Sequence, residues 1–503
     1  MAVAAIHFIA ALVPAVLATQ SKVPLFPRSN ATTHIAAIRA CTQLGASLGA
    51  PVVQSSGPDY EFAATHAWNL QNAEYQPTCI VFPRTSLDVQ VAMKAIFDAK
   101  SHYAVQAGSH SAMKGWNTVQ DGVLITFSNM QNVSYNPVRD SITLEPGTHW
   151  HDAATALEPQ GVAPVGGRVG DVGTGLLLGG GLSWLSPSHG YAADMFKELD
   201  VVLTTGKMVT ATASNEYSDL FRALKGGGNR FGIVTRYEVY PVHTGTQDNK
   251  TWTGGMIIYN SSAEALLNAT ARYTREVNDP KAVLLVSFIN LIANGTLSPV
   301  YLVTPFYNGP ELPADIFGDF LSIPAVSSTL GPMSYYDVSE TLGLGDDRGS
   351  VQHFGASALV GNEDLFLEAF KHWSNLTTAL LDNFAMTTLA FTPIPDSQIQ
   401  AGRARGGNSI NPPSGGFAAV QIYEQLAAGI DDIPPDVQRG ADILFTQTPP
   451  SAGLPLYLNE CDRGQKVFQS YGEGQGLRQL QETYAKYDPT RFNVEHSQGP
   501  EGL

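Results

Sequence analysis

The stretch that most constrains this chain is GGRVGDVGTGLLLGGGLSWLSPSHG, residues 166–190. Glycines at 166, 167, 170, 173, 175 and 179–181 strip side-chain cover from a long path of backbone, which a regular helix or strand does not tolerate. Such a path suits close approach of the backbone to something else. The interruptions Leu176-Leu177-Leu178 and Trp184 fit poorly with a solvated surface loop. Glycines beside apolar residues suit a flat, partly apolar ligand with a charged tail.

A shorter loop, Gly108-Ser109-His110-Ser111, points the same way. Before it, TCIVFP (78–83) reads as a strand and residues 85–100 as a helix capped by Thr85 or Ser86. Leu87, Val91 and Ala95, with Ala92, Ile96 and Ala99, give that helix an apolar face. HYAVQ follows as a second strand and runs straight into the loop. Backbone N–H groups and two serine hydroxyls in this place would cradle a pyrophosphate. Taken alone, the loop reads more readily as a plain turn.

Downstream, GVLITF (122–127), SITLEPG (141–147), ELDVVLTT and FGIVTRYEVYPV read as strands. HWHDAATALEPQG and EYSDLFRALKGGG read as short helices. Beyond about residue 245, longer helical patterns (262–278, 364–382) alternate with strands such as AVLLVSF, VYLVTPFY and FAAVQIY. This is the pattern of an α+β region with an antiparallel sheet backed by helices. A last helix closes at Asp488-Pro489, and residues 19–40 read as a mobile lead-in.

Several function classes are excluded. The formal net charge of −16 argues against nucleic acid and anionic membrane surfaces as partners. No G-x-G-x-x-G follows a strand, and neither a P-loop nor a G-x-S-x-G elbow is present. His149-x-His151 has metal-pair spacing without a third ligand nearby, and reads as an exposed turn.

The N-terminal MAVAAIHFIAALVPAVLATQ reads as a signal peptide cut near Ala18, hence a secreted protein. A membrane anchor is the alternative, but the run is short and Pro14 breaks it. Sequons at Asn30, Asn132, Asn249, Asn260, Asn268, Asn294 and Asn375 predict N-glycans. The chain has 3 cysteines. The expected arrangement is a Cys41–Cys79 disulfide with Cys461 as a buried free thiol.

VQAGSHS resembles the R-S-G-G-H-S loop of the berberine-bridge-enzyme-like flavoproteins, the FAD-linked oxidases with a PCMH-type FAD domain. The 166–195 run resembles that family's C-P-T-V-G-x-G-G-H-x-x-G-G-G-x-G…GLAADN stretch. LKGGGNRFGIVTRYEV, YLNECD and KYDPTRF resemble three further family segments. The resemblance implies an α+β fold with two domains: a PCMH-type FAD-binding fold, and a second α+β substrate domain built on an antiparallel sheet. By this reading residues 1–18 are the leader, 40–245 bind FAD, 246–454 form the substrate domain, and 455–503 return to the FAD domain.

The resemblance makes His110 the covalent link to the flavin 8α-methyl. It places Gly108, Ser109, Ser111, Gly170, Gly173, Gly175, Gly180, Val234 and Asn459 around the cofactor. Glu460 stands where several members carry a catalytic Tyr, so Glu460 or Tyr457 is the expected base. There are three departures. Arg168 replaces the second flavin-linking Cys, Leu176 replaces a His, and Asp171 replaces a small aliphatic residue thought to govern oxygen access. The implied activity is hydride transfer from a small substrate to covalently held FAD, with O₂ as acceptor. A specialised metabolite is favoured over a carbohydrate because Arg168 removes the double attachment common in sugar oxidases. A flavin-binding protein without turnover is the remaining alternative. On FAAVQIY, Gln421 and Tyr423 read as sheet packing or as substrate contacts.

Overall fold

The computed structural model describes residues 31–503, so the expected leader and Asn30 lie outside the described residues. Cys79–Val81 and Tyr103–Gln106 both run parallel to Val123–Thr126 between them, and Val53–Gln54 adds antiparallel at one edge. The Ser86–Ala99 helix makes the crossover. Thr85 caps it: its hydroxyl accepts from the Asp88 N–H, and the Asp88 carboxylate accepts from the Thr85 N–H. Val89, Ala92, Met93 and Ile96 bury its inner face.

Residues 31–40 are not a mobile lead-in, because Ala31–Leu48 is a helix. Ala37, Ala40 and Leu44 sit at helical spacing and are fully buried. Cys41 on the same helix is disulfide-bonded to Cys79, with Cα atoms 5.9 Å apart. Cys461 is the buried free thiol, and its Sγ donates to the Leu458 carbonyl.

A five-stranded antiparallel sheet follows, in the order Val133–Asn136, Ser141–Leu144, Ile233–Val239, Phe196–Val202 and Met208–Ala211. Residues 252–426 supply a nine-stranded sheet whose pairings are all antiparallel. Strand alternation splits its side chains cleanly. Val286, Phe288, Phe391 and Ile422 pack with residues of the Ala263–Glu276 and Glu363–Ala379 helices. The other face (Leu285, Ala356, Ala390 and Ala419 among others) shares a core with Leu177 and Trp184 of the glycine run. That second face positions the candidate site. Among the described residues no helix is long and apolar enough to cross a membrane.

The C-terminal segment ties these parts together. Gln352–Leu359 is an edge strand, and the Gln465 amide covers it by bonding both the Ala356 N–H and its carbonyl. Beside it lies a buried ionic clamp. His353 Nδ1 is 2.7 Å from Glu424 Oε2, and Nε2 is 2.9 Å from Asp462 Oδ2. Further on, buried Arg230 donates to the carbonyls of Ser497 and Pro500 and to the Asn493 side chain.

Burial alone would neutralise His353, but hydrogen bonds to Asp462 and Glu424 outweigh it and carry its pKa from 6.5 to about 10. A raised folded pKa stabilises the fold fully below about 6.5, and the contribution fades as pH rises through 10. His353→Leu would leave two buried carboxylates unpaired, at a cost of about 3–5 kcal/mol. Urea denaturation of wild type and His353→Leu is expected to show a wide stability gap at pH 6 that narrows at pH 10.5.

Candidate active site

The loop after Tyr103–Gln106 and the glycine run meet at Gly108 and Gly173. A Cβ on Gly108 would lie 2.5 Å from the Gly173 nitrogen, and a Cβ on Gly173 equally close to the Gly108 nitrogen. Two backbones touch here and no side chain fits. Ser109 takes φ 58°, which turns the loop so that its carbonyl accepts from the Trp68 N–H. His110 then stacks on the Trp68 indole at 4.3 Å and 15°, and its Nε2–H donates to the Gly345 carbonyl at 2.9 Å. Burial lowers the His110 pKa, so the ring is held neutral. The Ser111 hydroxyl accepts from the Met113 N–H, and its carbonyl from Asn72.

The glycine run builds the facing wall. Gly175–Leu178 is one short helical turn, followed by Gly180 and Gly181 at φ 104° and 84°. Asn459 is wedged against it: a Cβ on Gly179 would fall 2.1 Å from Asn459 Oδ1. Asn459 Nδ2 donates to the Leu176 carbonyl and to the Tyr457 hydroxyl, which also accepts from the Leu182 N–H. Tyr457 is fully enclosed, and burial raises its pKa further. Val234 is buried in the same core, paired with Val201.

Glu460 sits one residue past Asn459. Its Oε1 is 3.6 Å from Arg168 Nη2, and both side chains are nearly buried. Arg168 also donates to the Thr392 hydroxyl at 2.9 Å. Burial raises the Glu460 pKa to about 6, against the opposing pull of Arg168. Arg168 thus faces the Glu460 carboxylate across the interior.

Asp171 lies under a strap formed by residues 343–348. The Gly170 and Asp171 N–H groups donate to the carbonyls of Gly343 and Leu344. Burial alone would raise the Asp171 pKa, but hydrogen bonds from His149 and Arg348 outweigh it and hold the carboxyl ionised. His149 and His151 therefore do not form an exposed turn. Both are partly buried, each paired with a carboxylate, Asp171 and Glu340 respectively. Among the described residues no cluster is able to hold a metal ion.

Trp68, Asn69 and Asn72 were not legible as site residues. Asn69, fully buried, donates to the carbonyls of Ala112 and Gln352 and accepts from the Gln352 N–H. Asn72 grips Ser111, Met113 and Gly115. Together they stitch the His110 loop to the edge of the nine-stranded sheet. The sequence signal is faint: two Asn three apart in HAWNLQN, a spacing that also suits an ordinary helix cap.

Residues 77–212 match the family model of an FAD binding domain. An FAD-linked oxidoreductase of unassigned role from Arthroderma benhamiae is 31% identical over 450 residues, covering 85% of this chain and 87% of that protein. An FAD-dependent monooxygenase of Arthrobotrys oligospora is 28% identical, over 84% and 81%. The carbohydrate oxidase of Microdochium nivale, solved with a substrate analogue, superimposes with a TM-score of 0.75 at 20% identity, over 92% and 100% of the two chains. The site and fold define an FAD-binding oxidoreductase. The chain belongs to the FAD-linked oxidoreductases and carries their FAD binding domain.

The residues present fit FAD. The Gly108–Gly173 contact forms a cradle that any Cβ would fill. Along the loop that continues from His110, both side-chain polar atoms of buried Asn117 and the Thr118 hydroxyl have no partner among the described residues. Buried polar atoms left unpaired are costly, so they mark a polar ligand's path. Gly173→Ala is expected to reduce bound flavin to a small fraction of wild type, read as the 450/280 nm absorbance ratio. Gly318→Ala, on open helix surface, is the control and should load normally.

Proposed function

We propose that this protein is a secreted oxidase that holds FAD through His110 and dehydrogenates a small specialised metabolite. When bound, FAD supplies the two-electron acceptor for a substrate hydride, and O₂ takes those electrons on as hydrogen peroxide. Residues 40–245 and 455–503 are assigned to holding the cofactor, and 246–454 to shaping the substrate site. The backbone N–H groups around Gly108, Ser109 and Ser111 would hold the diphosphate. The path through Gly170, Gly173, Gly175 and Gly180, together with Val234 and Asn459, would hold the rest of the cofactor. His110 is suited to a covalent link because it is neutral, desolvated and held in place by Trp68 and Gly345.

The observation that carries the catalytic assignment is the Arg168–Glu460 pair. Glu460 is the base: its pKa near 6 leaves it ionised at neutral pH yet able to accept an O–H or N–H proton. Arg168 fixes the carboxylate and balances its charge. Tyr457 is assigned to supporting the wall, since its hydroxyl is committed to Leu182 and Asn459. A carbohydrate substrate is the second reading, favoured by the likeness to the Microdochium nivale enzyme. Secretion is supported by the N-terminal leader, the Cys41–Cys79 disulfide and the sequons, whose six described asparagines are all exposed. We assign N-glycans to these positions.

Wild-type protein is expected to keep its yellow colour in the acid-precipitated pellet, and His110→Ala to release it. Flavin freed equally from both would remove the tether. Glu460→Gln is expected to slow anaerobic flavin bleaching by about 10²–10⁴-fold with any substrate that bleaches wild type. In wild type the rate should fall as pH drops below about 6, as Glu460 takes up its proton. A bleaching rate unchanged in Glu460→Gln would move the base elsewhere.

A further inference from the structure

Three side chains from separate parts of the chain surround the Arg168 guanidinium. Its Nη1 donates to the Thr392 hydroxyl at 2.9 Å. Its central carbon lies 5.5 Å from the centre of the Trp184 ring. Its Nη2 is 3.6 Å from Glu460 Oε1. Of the two polar contacts only the first is a hydrogen bond, because an N–H···O bond closes at about 2.7–3.2 Å. Thr392 sits on the central strand Phe384–Ile394, paired with Ala419 of the next strand. Trp184 is 1% exposed and packs edge-on against Phe306, ring centres 4.9 Å apart. A hydroxyl and an indole do not titrate near neutral pH, so neither anchor lets go when Glu460 takes up a proton.

Asp171 shows the other arrangement in the same molecule. There Arg348 Nη2 donates directly to the carboxylate, and hydrogen bonds hold Asp171 below the usual carboxylate range. A carboxylate engaged in that way is a poor proton acceptor. The Glu460 carboxylate accepts no hydrogen bond among the described residues, and Arg168 acts on it through charge alone. No second charge faces it there. Tyr457 and Cys461 on its own segment are kept protonated by burial, and Asp462 is engaged by His353. The sheet contributes the neutral Thr392, and the glycine run contributes Trp184.

We propose that Thr392 and Trp184 are positioning residues that hold the Arg168 guanidinium at a stand-off from Glu460, near enough to act by charge and too far to occupy its lone pairs. The inference rests on the reading of Glu460 as the base given above. A guanidinium free to move would close on the carboxylate as a charge-assisted hydrogen bond, the geometry that Arg–carboxylate pairs prefer. Glu460 would then be ionised but blocked. With the guanidinium anchored elsewhere, the carboxylate keeps an open site for the substrate proton, and the positive charge stays in place after the proton has moved. Thr392 is suited to the task because its branched side chain has few rotamers and its strand is central.

The test titrates Glu460 in purified holoenzyme by infrared difference spectroscopy. The signal is the C=O stretch of a protonated carboxyl that is present in wild type and missing from Glu460→Gln. Thr392→Val removes the anchoring hydroxyl and is expected to lower the proton affinity of Glu460 by about tenfold, as Arg168 closes on it. Thr392→Ser keeps the hydroxyl and should restore the wild-type midpoint. Arg168→Met removes the charge and should raise the proton affinity by about tenfold, the opposite sign. Trp184→Phe releases the guanidinium from its other side and is expected to move the midpoint in the same direction as Thr392→Val, which keeps the test open should that variant fail to fold. A midpoint unchanged in Thr392→Val overturns the proposal, and so does one that rises as in Arg168→Met. Flavin bleaching unaffected by Glu460→Gln would remove the base instead, and the titration would still decide the stand-off.

Discussion

Two glycines in backbone contact set the geometry on which the site depends. At Gly108 and Gly173 the loop carrying His110 and the run carrying Arg168 and Asp171 come closer than any side chain permits. That contact fixes the loop carrying the imidazole against the run carrying the guanidinium. Asn69 and Asn72 hold the loop from behind, and the strap at 343–348 holds it from above. Removing side chains here is what lets three separate parts of the chain share one small volume.

Charge plays the second organising part. Arg168 and Glu460 enter the interior together, and burial of either alone would be far more costly than burial of the pair. The same holds at Asp171, ringed by Arg348 and His149, and at His353 between Glu424 and Asp462. Each cluster joins segments distant in sequence. Each also leaves little net charge behind, so an acidic chain can close around a site that must handle a proton. Arg168 shows how one side chain shapes such a site: its ion pair with Glu460 joins the glycine run to the C-terminal segment.

What could be read from the sequence followed local signals. Ser86–Ala99 was legible because Thr85 and Asp88 cap it and its apolar residues recur at helical spacing. The long strands of the nine-stranded sheet were legible from β-branched runs. Ala31–Leu48 was not, because its buried stripe is mostly alanine and a disulfide holds it down. Phe384–Ile394 was missed as well: a central strand covered on both faces shows no alternation to read. Within the site, glycine spacing marked both loops, whereas the roles expected of His110, Glu460 and Asn459 came from the resemblance of their segments to a flavoprotein family. Trp68, Asn69, Asn72 and Arg348 act only through contacts across long stretches of chain, and nothing in their neighbours announces that.

The tail's route has a consequence for assembly. Asn459 and Glu460 complete a wall begun near residue 166, and Arg230 waits for carbonyls at 497 and 500. These contacts join segments more than 260 residues apart, so the wall closes and the Arg230 guanidinium is satisfied only when the C-terminal segment docks. Loss of residues 497–500 would strip Arg230 of two carbonyl partners while leaving Asn459 and Glu460 in the chain.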